Sequence, residues 1–382
     1  MKKLAIITTH PIQYHAPWFS LLANTGKVDL KVFYTWSQTA NGVMDRTFGR
    51  VIHWDIPLLE GYKYEFIQNM AKDPGSHHKG GIDCPGLIKA IEEFGPEIVF
   101  VFGWNFKSHF QVMKYFKGKV SIWFRGDSTL LGETSGLRRY FRRLSLYYVY
   151  RHIDKAFYVG SENKRYYKAH GVKEKELIFA PHAVDNDRFY DSDKKKYEKN
   201  AGIWRTKLGL KENDLVILFA GKFDENKRPD LLIQSIKAAN LVRKDPIKLL
   251  LVGSGPREKY LKNLAGKNNH IQFVPFQNQS QMPLVYRLGD MLCLPSKLET
   301  WGLAVNEAMA SGRAVILSDQ VGCRVDLIKP NENGFIFWDS KSLEKQLIDL
   351  TVEKCRFMGV SAQQDIKPWN FDAIVEAILT SL

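Results

Sequence analysis

The sequence predicts an α/β protein built from two doubly wound, parallel-sheet domains. Three observations predict it. Short apolar runs recur along the whole chain, each ending in Gly, Pro or polar residues. Many are continuous rather than alternating and rich in Val, Ile and Phe, as parallel strands buried on both faces are. Segments with helical spacing lie between them. The chain has 382 residues, 45% of them hydrophobic. At about 150 residues per domain that length supports two or three cores.

The elements follow in order. "LAIITT", "VDLKVFYT", "EIVFVFG", "VSIWFRG", "KAFYVGS" and "ELIFAPH" read as strands of a first domain. "LVILFAG", "IKLLLVGSG", "IQFVPF", "MLCLPS" and "AVILSD" read as strands of a second. The alternation breaks once, at the charged stretch "YDSDKKKYEKNAG" after "FAPHAVDNDRF", which places the junction near Asp185. Residues 1–185 and 186–365 are the expected domains. The tail "WNFDAIVEAILTSL" reads as an amphipathic helix with Phe371, Ile374, Ile378 and Leu379 on one face.

The formal net charge is +14 and the pI about 9.4, a balance that favours acidic partners such as nucleotides. No helix-turn-helix, RNA-binding-sheet or zinc-finger pattern accompanies it, so nucleic acid is not expected as a partner. Cys84, Cys293, Cys323 and Cys355 form no CxxC pair, and each lies in or beside an apolar segment. Reduced, buried thiols are expected. The amino-terminal apolar run, Leu4 to Ile7, is shorter than a signal-peptide core, and no run reaches a membrane span. A cytoplasmic protein is therefore expected.

Two Rossmann-like domains of similar size create a cleft, and ligands of such sheets sit beyond the carboxyl ends of the strands. After "LVILFA" comes "GKFDENKRPD", where Gly221 permits a tight turn and Lys222, Lys227 and Arg228 follow. Such a loop either neutralises phosphate or is a solvated basic turn. After "LLLV" comes "GSGP", whose glycines can let backbone amides approach an anion. After "MLCLPS" comes "KLETWGLAVNEAMASG", with Glu299 in a loop and Glu307 on a helix starting at Leu303. The amides around the helix start favour an anion. A carboxylate on each side can accept hydroxyl hydrogen bonds from ribose and hexose. That pattern suits a sugar nucleotide.

"PSKLETWGLAVNEAMASGRAVI" resembles the E-x7-E signature of retaining glycosyltransferases of family 4, which have the GT-B fold. "GKFDENKRPDLL" is similar to that family's phosphate loop, "LLLVGSGPREKYL" to its next strand–turn–helix, and "FAPHAVDNDRF" to its inter-domain segment. The likeness covers most of the second domain strongly and the first weakly. It implies two domains facing across a cleft, with a carboxy-terminal helix, 366–382, returning to the first. It implies a nucleotide-sugar donor, UDP-linked, held by the second domain. Glu307 would bind the ribose, Glu299 would contact sugar hydroxyls, and Lys227 with Lys222 would stabilise the leaving diphosphate. Further donor contacts are implied at Gly221, Thr300, Trp301, Gly302, Leu303 and Phe276. Lys222 stands where the family usually has Arg, His182 and Ala183 stand where it has Asn-Gly, and Trp104 lies near its usual His.

In the first domain, "THPIQYH" places His10 and Gln13 after one strand and "FRGD" places Arg125 and Asp127 after another. These are the acceptor-side candidates, with His10 or Asp127 as a possible base. The expected chemistry is front-face transfer with retention to a glycan or lipid-linked acceptor, in cell-surface polysaccharide or glycoconjugate synthesis. The alternative is a GT-B sugar-nucleotide epimerase or hydrolase that needs no acceptor. No cofactor is expected. No metal is expected either, because the lysines supply positive charge, and no grouping of His, Asp and Glu reads as a metal site.

"SGLRRYFRRLSLYYVYRH" carries Arg138, Arg139, Arg142 and Arg143 on one helical side and Leu137, Phe141, Leu144 and Tyr148 on another. It reads either as a segment for an anionic membrane surface, making the protein peripheral, or as a core helix with a solvated basic face.

Overall fold

In a computed structural model, which describes residues 1–36, 44–45, 50–51, 54–133 and 135–382, the apolar runs form two parallel sheets. The chain divides into two units: Met1–Val43, Ile56–Ala183 and Phe371–Leu382 in the first, Met44–Asp55 and Val184–Asn370 in the second. A small antiparallel pair, Met44–Asp45 with Arg50–Val51, goes with the second unit.

The first sheet comprises β1 (Lys2–Thr8), β2 (Val28–Tyr34), β3 (Lys63–Phe66), β4 (Ile98–Phe102), β5 (Ser121–Arg125), β6 (Lys155–Tyr158) and β7 (Leu177–Phe179). Its order is β3-β2-β1-β4-β5-β6-β7. Alternation within each strand feeds two cores, because successive side chains point to opposite faces. Leu4 and Ile6 of β1 pack with Trp18 and Phe19, whereas Ala5 and Ile7 pack with Val99 and Val101. Trp18 and Phe19 belong to helix α1 (Ala16–Asn24).

The arginine-rich segment forms helix α2 (Leu137–Tyr150) and departs from the core-helix expectation. Leu137, Phe141, Leu144 and Tyr148 are exposed, Leu137 by 77% and Phe141 by 62%. Leu146, Val149 and Tyr150 are the residues that anchor it.

The second sheet comprises β8 (Val216–Ala220), β9 (Lys248–Val252), β10 (Ile271–Val274), β11 (Met291–Leu294), β12 (Ala314–Ser318) and β13 (Gly334–Phe337), in the order β10-β9-β8-β11-β12-β13. Ile217, Phe219, Leu249, Leu251, Cys293 and Ile316 carry one side of its core. Helices α3 (Pro229–Val242) and α4 (Leu303–Ala310) follow β8 and β11. The final helix, α5 (Phe371–Thr380), buries Phe371, Ile374, Val375 and Ile378 in the first unit's Trp18 core.

All four cysteines are buried and unpaired. No helix among the described residues is long and apolar enough to cross a membrane.

Candidate functional site

Both sheets change direction beside their first strand, and a doubly wound sheet leaves a crevice at that reversal. In the second unit the reversal falls between β8 and β11. The loops that follow these strands are tied together. Lys297 N donates to Asn226 O at 2.6 Å, and Asn226 Nδ2 donates to Leu298 O at 2.8 Å. Between them Lys227 Nζ donates to Glu299 Oε2. Ser296 Oγ reaches the same carboxylate at 3.4 Å. Lys227 is held from its own side too, its amide donating to Asp224 Oδ1 at 2.8 Å. Its neighbour Arg228 has φ 49° and Pro229 opens α3 immediately after, so the loop turns sharply. Lys222 lies in the same loop and is partly exposed.

Gly302 begins α4 with φ 99°, a left-handed conformation that favours glycine. A Cβ there would come within 3.0 Å of Val321. The first amides of α4, at Leu303 and Ala304, have no carbonyl four residues earlier within the helix and leave a positive helix end beside Glu299. Thr300 is partly exposed in this turn. Trp301 is not: it is 3% exposed, and its indole Nε1 donates to Asn306 Oδ1 at 2.9 Å. Only its backbone is available to a ligand.

Glu307 lies in the second turn of α4 and is 3% exposed. Tyr286 Oη donates to its Oε2 at 2.5 Å, and Arg188 Nη2 lies 3.9 Å from its Oε1. Arg188 is steadied by Gln279 Oε1 at 2.9 Å. Gln279 and Tyr286 come from segments that no motif marked, and Arg188 from the inter-domain segment, where the sequence alone assigns it no role. Phe276 follows β10 and is partly exposed.

The "GSGP" glycines allow close packing between loops. A Cβ on Gly253 would meet Gly221 O at 1.9 Å, and one on Gly255 would meet Phe223 O at 2.6 Å. The loops are stitched where they touch, with Phe223 N donating to Ser254 O at 2.9 Å.

The first unit's reversal lies between β1 and β4. His10 bonds Thr9 Oγ1 through Nδ1 at 3.0 Å and meets Trp36 edge-on at 5.2 Å. Gln13 is partly exposed in the same loop, and Asp127 is partly exposed after β5. Arg125 is 3% exposed, and its two terminal nitrogens donate to Ala180 O at 2.8 Å and Pro181 O at 2.9 Å. This fork holds backbone, so Arg125 works first as a structural clamp. Burial lowers it to about 10, against the pull of Tyr167 and Asp127. Around it stand two further histidines, His182 and His15, the latter from the same post-strand loop as His10 and Gln13. Burial and then Arg125 push His182 down to about 3. Burial, Arg125, His182 and His10 hold His15 well below the usual imidazole value. His109 is likewise pushed to about 4 by burial, with Nε2 on Thr35 Oγ1 and Nδ1 on Phe102 O, both at 3.0 Å.

One expectation needs correction. Asp73, His77 and His78 do form a group with ligand-like spacing, their candidate atoms within 4.8 Å of one another, on an exposed loop. The sequence also holds two Asp-x-Asp triplets, at 185–187 and 191–193. There Asp185 caps a turn through Arg188 N at 3.0 Å, and Asp191 accepts from Tyr197 N at 2.7 Å.

Residues 200–354 match the family described as Glycosyl transferases group 1. The D-inositol 3-phosphate glycosyltransferase of Gordonia bronchialis is 31% identical over 198 residues, 46% of this chain and 42% of that protein. An uncharacterized glycosyltransferase of Methanocaldococcus jannaschii is 30% identical over 134 residues, 34% of each chain. The chain thus spans less than half the length of these curated relatives. Among solved structures, Anabaena Alr3699/HepE in complex with UDP and glucose superposes with a TM-score of 0.72 at 17% identity, over 100% of both chains. WaaG, a glycosyltransferase involved in lipopolysaccharide biosynthesis, gives 0.67 at 14% identity over 99% of each. The fold is GT-B, two parallel-sheet α/β domains.

Proposed function

We propose that the protein is a retaining glycosyltransferase of family 4 that takes a sugar from a UDP-linked donor bound by the second unit. The observation that carries this is the Lys227–Glu299 pair at the sheet reversal, beside the start of α4 and close in sequence to the buried Glu307. Charge, helix end and carboxylates are the three things a sugar nucleotide needs. The family match over 200–354 and the UDP complexes among fold relatives support the same reading.

In this mechanism the bond from the sugar's anomeric carbon to the diphosphate breaks, and an acceptor hydroxyl attacks from the same face. The hydroxyl proton passes to the departing phosphate. Lys227 and Lys222 stabilise the growing negative charge, and the backbone at Thr300 and Gly302, with the α4 amide of Leu303, adds to it. Gly221 lets the lysine loop lie close. Glu299 orients Lys227 in the resting state and accepts sugar hydroxyls when the lysine turns to phosphate. Glu307, fixed by Tyr286, receives the ribose, and Phe276 lies by the base. No metal ion or cofactor enters this scheme.

The acceptor is a glycan or lipid-linked sugar, met by His10, Gln13 and Asp127, with Arg125 as their positioning residue. Helix α2 supports a peripheral place at an anionic membrane on the cytoplasmic side, since exposed Leu137, Phe141 and Leu144 accompany Arg138, Arg139, Arg142 and Arg143. Incubation with a sugar-nucleotide panel, with and without glycan and lipid-linked acceptors, tests the function. Acceptor-dependent transfer with retained anomeric configuration is expected. Epimer or free sugar formed at the same rate without acceptor would replace the transferase with an epimerase or hydrolase.

A further inference from the structure

A cavity of about 580 Å³ opens at the opposite, amino-terminal end of the second sheet, just before β11 and β12. That volume suits a small ligand. Five of its lining residues are cationic, Arg205, Lys211, Arg287, Arg313 and Arg356, against three carboxylates. One of those carboxylates, Asp290, is committed to structure: it accepts Val216 N at 2.8 Å and faces Arg205 at 3.3 Å.

The other notable carboxylate is Glu198. Arg287 Nε donates to its Oε1 at 3.0 Å, and Arg313 Nη2 donates to its Oε2 at 2.7 Å. Both arginines are fixed before they reach it. Arg287 is 1% exposed in its side chain, and its terminal nitrogens donate to Pro283 O and Phe189 O, both at 2.8 Å. Arg313 Nη1 donates to Gly312 O at 3.2 Å, and its Nε is buried with no hydrogen-bond partner among the described residues. Glu198 is the loose member, with 53% of its side chain exposed. Two held guanidinium groups therefore converge on one half-exposed carboxylate, and fixed guanidinium pairs suit phosphate as well as carboxylate.

We propose that this cavity binds a compact phosphate-bearing anion, which takes the place of the Glu198 carboxylate between Arg287 and Arg313. Arg356 and Lys211 line the rest of the cavity and add charge without a rigid mount. The site is separate from the lysine loop after β8 and does not depend on the donor reading.

The test is calorimetric titration of inorganic pyrophosphate at ionic strength matched with sodium chloride. Every protein carries Lys227→Ala, which weakens pyrophosphate binding at the loop after β8, and the Arg313 and Arg356 variants assign the remaining heat to this cavity. Saturable binding is expected in that background. Glu198→Gln should tighten it several-fold, because the anion no longer displaces a carboxylate. Arg313→Ala should weaken it about tenfold, and Arg356→Ala, at an exposed position that folding does not need, several-fold. Absence of saturable binding in both the Lys227→Ala protein and its Glu198→Gln derivative would overturn the inference. So would binding that Arg313→Ala and Arg356→Ala leave unchanged. Phosphate monoesters and free phosphate, titrated in parallel, distinguish the natural source of the anion.

Discussion

In the first unit the loop after β1 carries His10, Gln13 and His15; in the second the corresponding loop after β8 carries Lys222, Lys227 and Arg228. Both loops stand at the reversal of a sheet whose first six strands run in the same relative order. The first reversal is electrically quiet. Its buried histidines are held neutral, and Arg125 spends its fork on two backbone carbonyls. The second sets a lysine against a carboxylate at the start of a helix, each with about a fifth of its side chain exposed. The same topology thus provides the same place twice. Charge that is still reachable by a ligand distinguishes the place suited to an anionic donor.

The largest test of that contrast is Lys227→Ala. It should lower turnover by roughly 10²–10³, as loss of a leaving-group cation does, measured as transfer under saturating donor. His10→Ala in the first unit should change the acceptor KM more than the donor KM, and an equal loss from both variants would erase the distinction.

Packing around the second reversal comes next. Gly253→Ala drives a Cβ into Gly221 O at a φ of 148°, and should cost about 2–3 kcal/mol of stability. Urea unfolding followed by far-UV circular dichroism measures it. Gly118, with no atom within 4 Å of an added Cβ although its φ is 80°, should lose less on the same change.

A smaller effect concerns α2. Replacing Arg138 and Arg142 with Gln should reduce binding to vesicles containing anionic lipid by about tenfold or more, at about 1 kcal/mol per charge. Vesicle co-sedimentation checks this, and the loss should vanish on zwitterionic vesicles.

The last effect is a slope, small over any few tenths of a pH unit but cumulative. His182 and His109 titrate near 6.5 when unfolded but near 3 and 4 when folded. The unfolded chain therefore binds more protons between those values, so their contribution is complete above pH 6.5 and falls as the pH drops towards 4 and then 3. Each adds up to about 1.4 kcal/mol per pH unit. Denaturation midpoints from pH 7.5 to 4.5 should fall, less steeply in His182→Asn.

Much of this was legible beforehand, for identifiable reasons. Strands such as "LVILFA" are buried on both faces and therefore apolar throughout. Within the two parallel sheets the strands absent from the sequence reading, β3 and β13, are four-residue edges; β3 exposes Lys63 and Tyr64, and β13 begins with Gly334. Glu299, Glu307 and Lys227 were legible because local spacing marks a loop, a helix start and a turn. Tyr286 and Arg188 were not, because they reach Glu307 from 21 and more residues away, and only the fold brings them there. Arg125 was visible, but its carbonyl partners lie 55 and 56 residues on. Helix α2 was visible as amphipathic; its pattern alone does not say which side faces outward.

The most direct measurement of the central claim is calorimetric titration of UDP into the wild-type protein and into Glu307→Ala and Lys227→Ala. The account predicts saturable binding to the wild type, weakened about tenfold or more by each substitution, with His10→Ala unchanged. Equal UDP affinity in all four proteins, or none in the wild type, would contradict it.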